Sequence, residues 1–397
     1  MKYESVKAAA ERLGVTVRAV QKWAAEGKIH GAQKAGRDWL IPADCPDPRG
    51  KGLNNSSAPK QEGFVFRQAL PLLSGKFLPG KSLEYINSLE DEDDRNIALG
   101  EYYYYTGNPE KASEILEPYL ISDVPALKYS AELYCVFINI ALGRTHLAKF
   151  SLSRLYKQLK EGFDNPNHPI KEHAIGVLTA HALNALLHID IHEAPPLEEY
   201  MRYLGGGMKL WGCYVLAYRA YQEKKYEVAL AISNMALALV PEEFPIPVIY
   251  CRLVEVMALL GLMRAGEAKE HFLKLWNYVE ADGFYEVVSE HYTELMGIVD
   301  TLFKKSDAES YAKIMKGVKV FGMNWIKLHN AISQREVADN LSSTEFTVAM
   351  LYNRGWSAQE ISSHLDISEN TVRSYIKTIY IKLGINDKKS LAQYMLK

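Results

Sequence analysis

Four sets of residues in this 397-residue chain have types and spacings that could do chemistry. Gly75-Lys76-Phe77-Leu78-Pro79-Gly80-Lys81-Ser82 spells G-x-x-x-x-G-K-S, the spacing with which backbone N–H groups and a lysine cradle phosphates. Five histidines fall between 168 and 192: His168, His173, His181, His188 and His192. His188 and His192 stand at i and i+4, a chelating pair if one helix carries both. Arg373, Ser374 and Lys377 gather on one side of a segment whose apolar residues lie on another, as base and phosphate contacts require. Arg18, Gln21 and Lys22, followed by Lys34 and Arg37, form a second basic set.

The first two sets weaken when the elements that must hold them are read. A phosphate loop works between a buried strand and a helix in an α/β domain, yet Ala69-Leu70-Pro71-Leu72-Leu73 is short and broken by proline. Helical periodicity resumes soon afterwards, with no room for a nucleotide-binding sheet. An ATP-dependent switch at Gly75–Ser82 is therefore only an alternative reading. No H-E-x-x-H accompanies the histidines, and exposed helix positions explain them better. Tyr102–Tyr105 could line a groove, but at helical spacing some belong in the core. The expectation is no catalytic set, no metal and no cofactor.

Composition agrees with a folded, water-soluble protein: 48% hydrophobic, 24% charged, and a net charge of −2. No run approaches the length of a membrane span, the N-terminus does not open a signal peptide, and a cytoplasmic location is expected. Cys45, Cys135, Cys213 and Cys251 lack C-x-x-C spacing and read as reduced, mostly buried thiols. Charge is unevenly spread. Residues 1–52 carry ten Lys/Arg against six Asp/Glu, and residues 373–397 six against one, leaving −11 for the rest. Basic ends on an acidic body confine attraction for nucleic acid to the ends.

The organisation follows from periodicity. Ala43–Gly63 is rich in Pro, Gly, Asn and Ser and marks a linker, whereas from Phe64 to about Asn330 helix follows helix. The fold class is mainly α, in four parts: 1–52, a linker at 53–63, a helical body at 64–330, and a compact helical domain at 331–397. In the body, Leu99-Gly100, Tyr103, Gly107, Ala112 and Leu116 keep the spacing of a tetratricopeptide (TPR) unit, as do Leu216-Ala217, Tyr226, Ala229, Ala236 and Pro241. Pairs turning near Gly143–Ala148 and Gly261–Ala268 are looser copies, and Gly205-Gly206-Gly207 interrupts the series. A TPR-like stack of helix pairs is expected.

At the C-terminus, Ser343 or Thr344 can start a helix that Gly355 ends, and Ser357 can start another running to Leu365. Ser368 caps a third over Glu369–Leu383, with Val372, Ile376, Ile379 and Leu383 as its buried stripe and Gly384 as its stop. Leu341-Ser342, Glu345, Gly355, Glu360-Ile361, Thr371-Val372-Arg373, Ile379 and Lys382-Leu383 together closely resemble the LuxR-type DNA-binding domain. Tyr375 stands where that family usually has His. The resemblance implies that Arg373, Ser374 and Lys377 face base edges while Thr371, Tyr375 and Lys382 hold the DNA backbone. It also implies a dimer contact through a last helix at about Lys388–Leu396.

At the N-terminus, Ser5–Leu13 reads as a helix, Gly14 as a turn, and Thr16 to Gly27 as a second helix burying Val17, Val20 and Trp23. Lys28-Ile29-His30 and Trp39-Leu40-Ile41 read as strands around Lys34-Ala35-Gly36-Arg37. Helix, turn, helix and wing resembles the MerR and excisionase group. By that resemblance Arg18, Gln21 and Lys22 approach the groove and Lys34 and Arg37 the phosphates; such folds also dock proteins. The whole reads as a bacterial, LuxR-type transcriptional regulator of double-stranded DNA. Its body would sense a ligand or protein, contact RNA polymerase, or mediate homo-oligomerisation. The competing reading is a TPR scaffold with protein-docking ends.

Overall fold

The computed structural model describes residues 3–13, 15–29, 31–36, 38–43, 45, 69–165, 168–189, 194–239, 243–333 and 337–395. The chain divides into two compact units, Met1–Phe66 and Arg67–Lys397. The smaller unit runs β1 (Tyr3–Ser5), α1 (Val6–Leu13), α2 (Val17–Ala25), β2 (Gln33–Ala35) and β3 (Asp38–Pro42). The strands form an antiparallel sheet in the order β1-β3-β2. The wing lies later than the sequence suggests, at Gln33–Ala35 instead of Lys28–His30, because Leu40 pairs with Ser5 on one side and Gln33 on the other. On α2 the buried stripe is Val20 and Ala24. Val17, at the first helical position, is 42% exposed, so its expected burial does not hold.

A core this small needs ties beyond apolar contact. Arg12 supplies one: its guanidinium pairs with Glu4 at 2.7 Å and donates to the Cys45 carbonyl at 3.1 Å, joining the first strand to the last described residue.

The larger unit is helical. Its body begins α3 (Ser82–Ser88), α4 (Glu92–Tyr105), α5 (Pro109–Leu116), α6 (Pro125–Ala141), α7 (Thr145–Asp164) and α8 (Ile170–Leu187). There follow α9 (Leu197–Tyr200), α10 (Gly206–Gln222), α11 (Tyr226–Leu239), α12 (Pro245–Gly261) and α13 (Ala265–Asp282). The body ends with α14 (Tyr285–Glu290), α15 (Ile298–Phe303) and the long α16 (Ala308–Ile332).

Four helix pairs, α4–α5, α6–α7, α10–α11 and α12–α13, share one turn. Each has three residues, the middle one left-handed: Gly107, Gly143, Lys224 and Met263, with φ of 70°, 70°, 61° and 62°. In each, the third residue's N–H returns to a carbonyl five residues back, from Asn108 to Tyr103, Arg144 to Asn139, Lys225 to Ala220 and Arg264 to Leu259, at 2.8–2.9 Å. This satisfies the carbonyls that a helix end orphans. The two looser repeats are thus structurally equal to the two stronger ones. Within the first pair the helices cross so closely that a Cβ on Gly100 would lie 2.4 Å from Leu116.

The series of pairs is interrupted before α10, where α8 and α9 lack the shared turn. Gly206 and Gly207 begin α10, and a Cβ on Gly207 would strike the Ser74 backbone at 2.7 Å. The condition for a His188/His192 chelating pair, one helix carrying both, is not met at His188: α8 ends at Leu187, and His188 is left-handed with φ 51°. His192 lies outside the described residues. No group of three possible metal ligands occurs among the described residues, and no helix among them is long and apolar enough to cross a membrane.

Candidate nucleic-acid interface

The last part of the larger unit is a four-helix head: α17 (Ser343–Asn353), α18 (Ala358–Leu365), α19 (Glu369–Leu383) and α20 (Lys388–Leu391). Serine starts each of the first three. Ser342 and Ser357 form full capping boxes with Glu345 and Glu360, and Ser368 accepts the Thr371 N–H at 3.1 Å. Asp366 (φ 54°) makes the turn between α18 and α19, and Gly384 (φ 64°) stops α19. These local stops fix the angle at which α19 leaves the head.

On α19, Val372 and Ile379 are buried, while Ile376 and Leu383 are half-buried. Arg373, Ser374 and Lys377 are exposed on another side, as the spacing predicts. The Arg373 guanidinium rests on Glu369 one turn back, a surface ion pair of small net strength. Thr371 bonds the Ser368 hydroxyl at 2.7 Å, and Tyr375 is half-buried beside the exposed set. Lys382 differs from its neighbours. Its ammonium pairs with Glu345 at 2.7 Å and ties the end of α19 to the start of α17. Burial works against ionising Glu345, yet the bonds from Lys382 and Ser342 hold its carboxyl below the usual range. Lys382 therefore braces the recognition helix.

α20 is shorter than the helix expected at Lys388–Leu396. It passes into a 3-10 turn at Ala392–Tyr394, and Leu396 lies outside the described residues. In the N-terminal unit Arg18, Gln21 and Lys22 are exposed on α2, and Lys34 is exposed on β2. Arg37 lies outside the described residues.

The head is fastened to the body through α18, the turn after it and the end of α17. The His364 ring nitrogen meets the Met296 carbonyl at 2.7 Å, Thr301 donates to the His364 carbonyl at 3.0 Å, and Lys305 pairs with Asp366 at 2.7 Å. Arg354, which follows α17, lies over the Tyr221 ring at 4.8 Å and near that of Tyr226 at 5.9 Å. Burial works to lower its pKa, but contact with these tyrosines and the charge of Glu294 raise it above the ordinary value. Sequence reasoning missed Arg354 and His364, since each is defined by a partner far along the chain.

Gly75–Ser82, the phosphate-loop look-alike, is otherwise engaged. The Gly80 and Ser82 N–H groups donate to the two carboxylate oxygens of Asp282 at 2.7 and 3.0 Å, and the Ser82 hydroxyl adds a third bond at 2.6 Å. Lys81 pairs outward with Glu84 at 2.5 Å. The amides that would hold a phosphate already hold a protein carboxylate, and α3 follows a turn instead of a strand.

Two helix-turn-helix domains with a helical body between them define the class of architecture, and comparison with known proteins agrees. Residues 339–395 match the bacterial regulatory proteins of the luxR family (GerE), and residues 5–45 match a helix-turn-helix domain family (HTH_17). The response regulator protein VraR of Staphylococcus aureus, from strains Mu3 and COL among others, is 29% identical over 99 residues. That likeness covers 24% of this chain and 47% of VraR, so the chain spans about half the length of the curated relatives it matches. No solved structure matches the chain.

Proposed function

We propose that this protein is a DNA-binding transcriptional regulator whose head reads the major groove through Arg373, Ser374 and Lys377. The observation that carries the reading is the exposure of these three residues together on α19, clear of the contacts by which His364, Asp366 and Arg354 fasten the head to the body. Phosphate contacts from Thr371 and Tyr375 would set register, with Lys382 holding the helix at its angle. The match to the luxR family and the likeness to a response regulator support the same conclusion.

The body acts as the regulatory part. His364, Asp366 and Arg354 give the head a defined seat, so a signal that changes the seat changes how the head meets DNA. Arg18, Gln21, Lys22 and Lys34 of the N-terminal unit add a second DNA contact, and contact with RNA polymerase or a second copy of the chain falls to the body. Sequencing genomic fragments retained by the purified protein tests the proposal. A reproducible motif, lost in Arg373→Ala, is expected; no enrichment over bulk DNA at moderate salt would reject it.

A further inference from the structure

Between the body and the head lies a cavity of about 530 Å³, within the roughly 300–1,000 Å³ typical of small-molecule sites. We propose that it binds a small organic ammonium ion, held by Glu290 and Glu294 and walled by the rings of Tyr218, Phe321, Trp325 and Phe346. This deepens the regulatory reading above and rests on it for its consequence, though not for the binding itself.

Charge is the first argument. Glu294 is 5% exposed; its Oε1 lies near the Tyr218 hydroxyl and His188, at 3.4 and 3.6 Å. Its Oε2 has no hydrogen-bond partner among the described residues, an expensive state for a buried carboxylate oxygen. Glu290 receives hydroxyl bonds only from Tyr104 and Tyr250. Burial pushes its carboxyl up to about 7 against those two bonds, so near neutral pH a cation would draw it into the ionised form. The lysines that line the cavity, Lys319 and Lys327, and the acidic Asp339 are exposed at its rim. Arg354 stacks on Tyr221 and Tyr226 and, with His188, favours the ionised form of Glu294 from one side. Burial lowers the His291 pKa. Glu290, by contrast, is bonded by the hydroxyls of Tyr104 and Tyr250 and by no cation among the described residues, and an anion would meet two carboxylates.

Shape is the second argument. A cation beside aromatic faces is stabilised by the ring quadrupoles, more so away from water. Gly322 sits within α16 and lines the cavity, and a Cβ there would meet nothing within 4 Å. Glycine inside a helix costs about 1 kcal/mol relative to alanine. No neighbour requires it, and it leaves the cavity wall recessed at the ligand's position. Because Ser342, Ser343 and Thr347 of the head complete the lining, an occupant touches both parts and couples its binding to the seating of the head.

A charge series on one shape tests this with the full chain: 2-phenylethylammonium, neutral 2-phenylethanol and anionic 3-phenylpropionate. Calorimetry and thermal shift should show the ammonium binding at least tenfold more tightly than the other two, with slower hydrogen exchange at the start of α17. Glu294→Gln should weaken it tenfold or more. Gly322→Leu should abolish binding while the unliganded chain melts no lower than the parent, which separates a filled site from a misfolded protein. Equal or tighter binding of the alcohol or the acid, or no ammonium binding at millimolar concentration, overturns the proposal, as does undiminished affinity in Gly322→Leu. DNA retention is measured separately: a chain that holds its operator but no ammonium defeats the cavity proposal alone. A chain that binds the ammonium but no DNA defeats the regulator reading alone.

Discussion

The head and the N-terminal unit both present a basic helix, but they are stabilised differently. The N-terminal unit relies on internal ties: a three-stranded sheet and Arg12 reaching from Glu4 to Cys45. The head caps each of its first three helices with serine, braces α19 with Lys382–Glu345, and then leans on the body through His364, Asp366 and Arg354. A reader that depends on another domain for its seat can be controlled by that domain.

The largest effect should come from the exposed set on α19. Arg373→Ala or Lys377→Ala should each cost about 1–3 kcal/mol of operator affinity where the side chain makes a bidentate base contact. Titration at fixed salt measures this, and melting should be unchanged because both residues are exposed. If Arg18→Ala costs as much, the two ends are equal readers and the asymmetry fails.

Next comes removal of residues 1–52. Tethering makes the second contact effectively intramolecular, so its loss should weaken promoter binding without abolishing it and shorten the protected footprint. Coinciding footprints at equal affinity would assign the N-terminal unit to protein docking. Smaller still are the caps. Ser357→Ala and Thr16→Ala should each cost about 1 kcal/mol of stability, read by denaturant titration. Only the former should also loosen the contact of α18 with the body.

The smallest effect concerns acidity. Burial lowers the His364 pKa, with Lys269 adding to the shift and the Met296 carbonyl opposing it. A histidine with a depressed pKa favours the seated state above its free value of about 6.5, and that support is lost as pH falls below it. The protection of amides near Leu365, measured against the intrinsic exchange rate at each pH, should therefore fall between pH 7.5 and 5.5. Unchanged protection would remove His364 from the seat.

Much of this architecture is legible because it is local. Ser357, Ser368, Gly355 and Gly384 punctuate the head within a few residues of the helices they bound, and Arg373 and Lys377 follow from the 3.6-residue period; the first cap falls at Ser342, just before the expected Ser343 or Thr344, because Glu345 completes its capping box. The wing is misplaced because its strand is chosen by pairing with β3, whose other neighbour is Tyr3–Ser5. Lys224 and Met263 carry no glycine signal for the turns they make; both are exposed, and the turns close through the N–H bonds of Lys225 and Arg264 to Ala220 and Leu259. Arg354, Glu294 and the recess at Gly322 gain meaning only when distant helices meet.

The clasp of Asp282 on Gly80 and Ser82 bears on how the protein is made. Its partners are separated by 202 and 200 residues, and at roughly 5–20 residues per second a ribosome needs about 10–40 seconds to bridge that gap. Through that interval the nascent loop offers three unfilled donors, and the first helix pairs cannot close against the last. The clasp can close only after Asp282 emerges from the exit tunnel, and the head, which follows Asp282 in the chain, emerges later still.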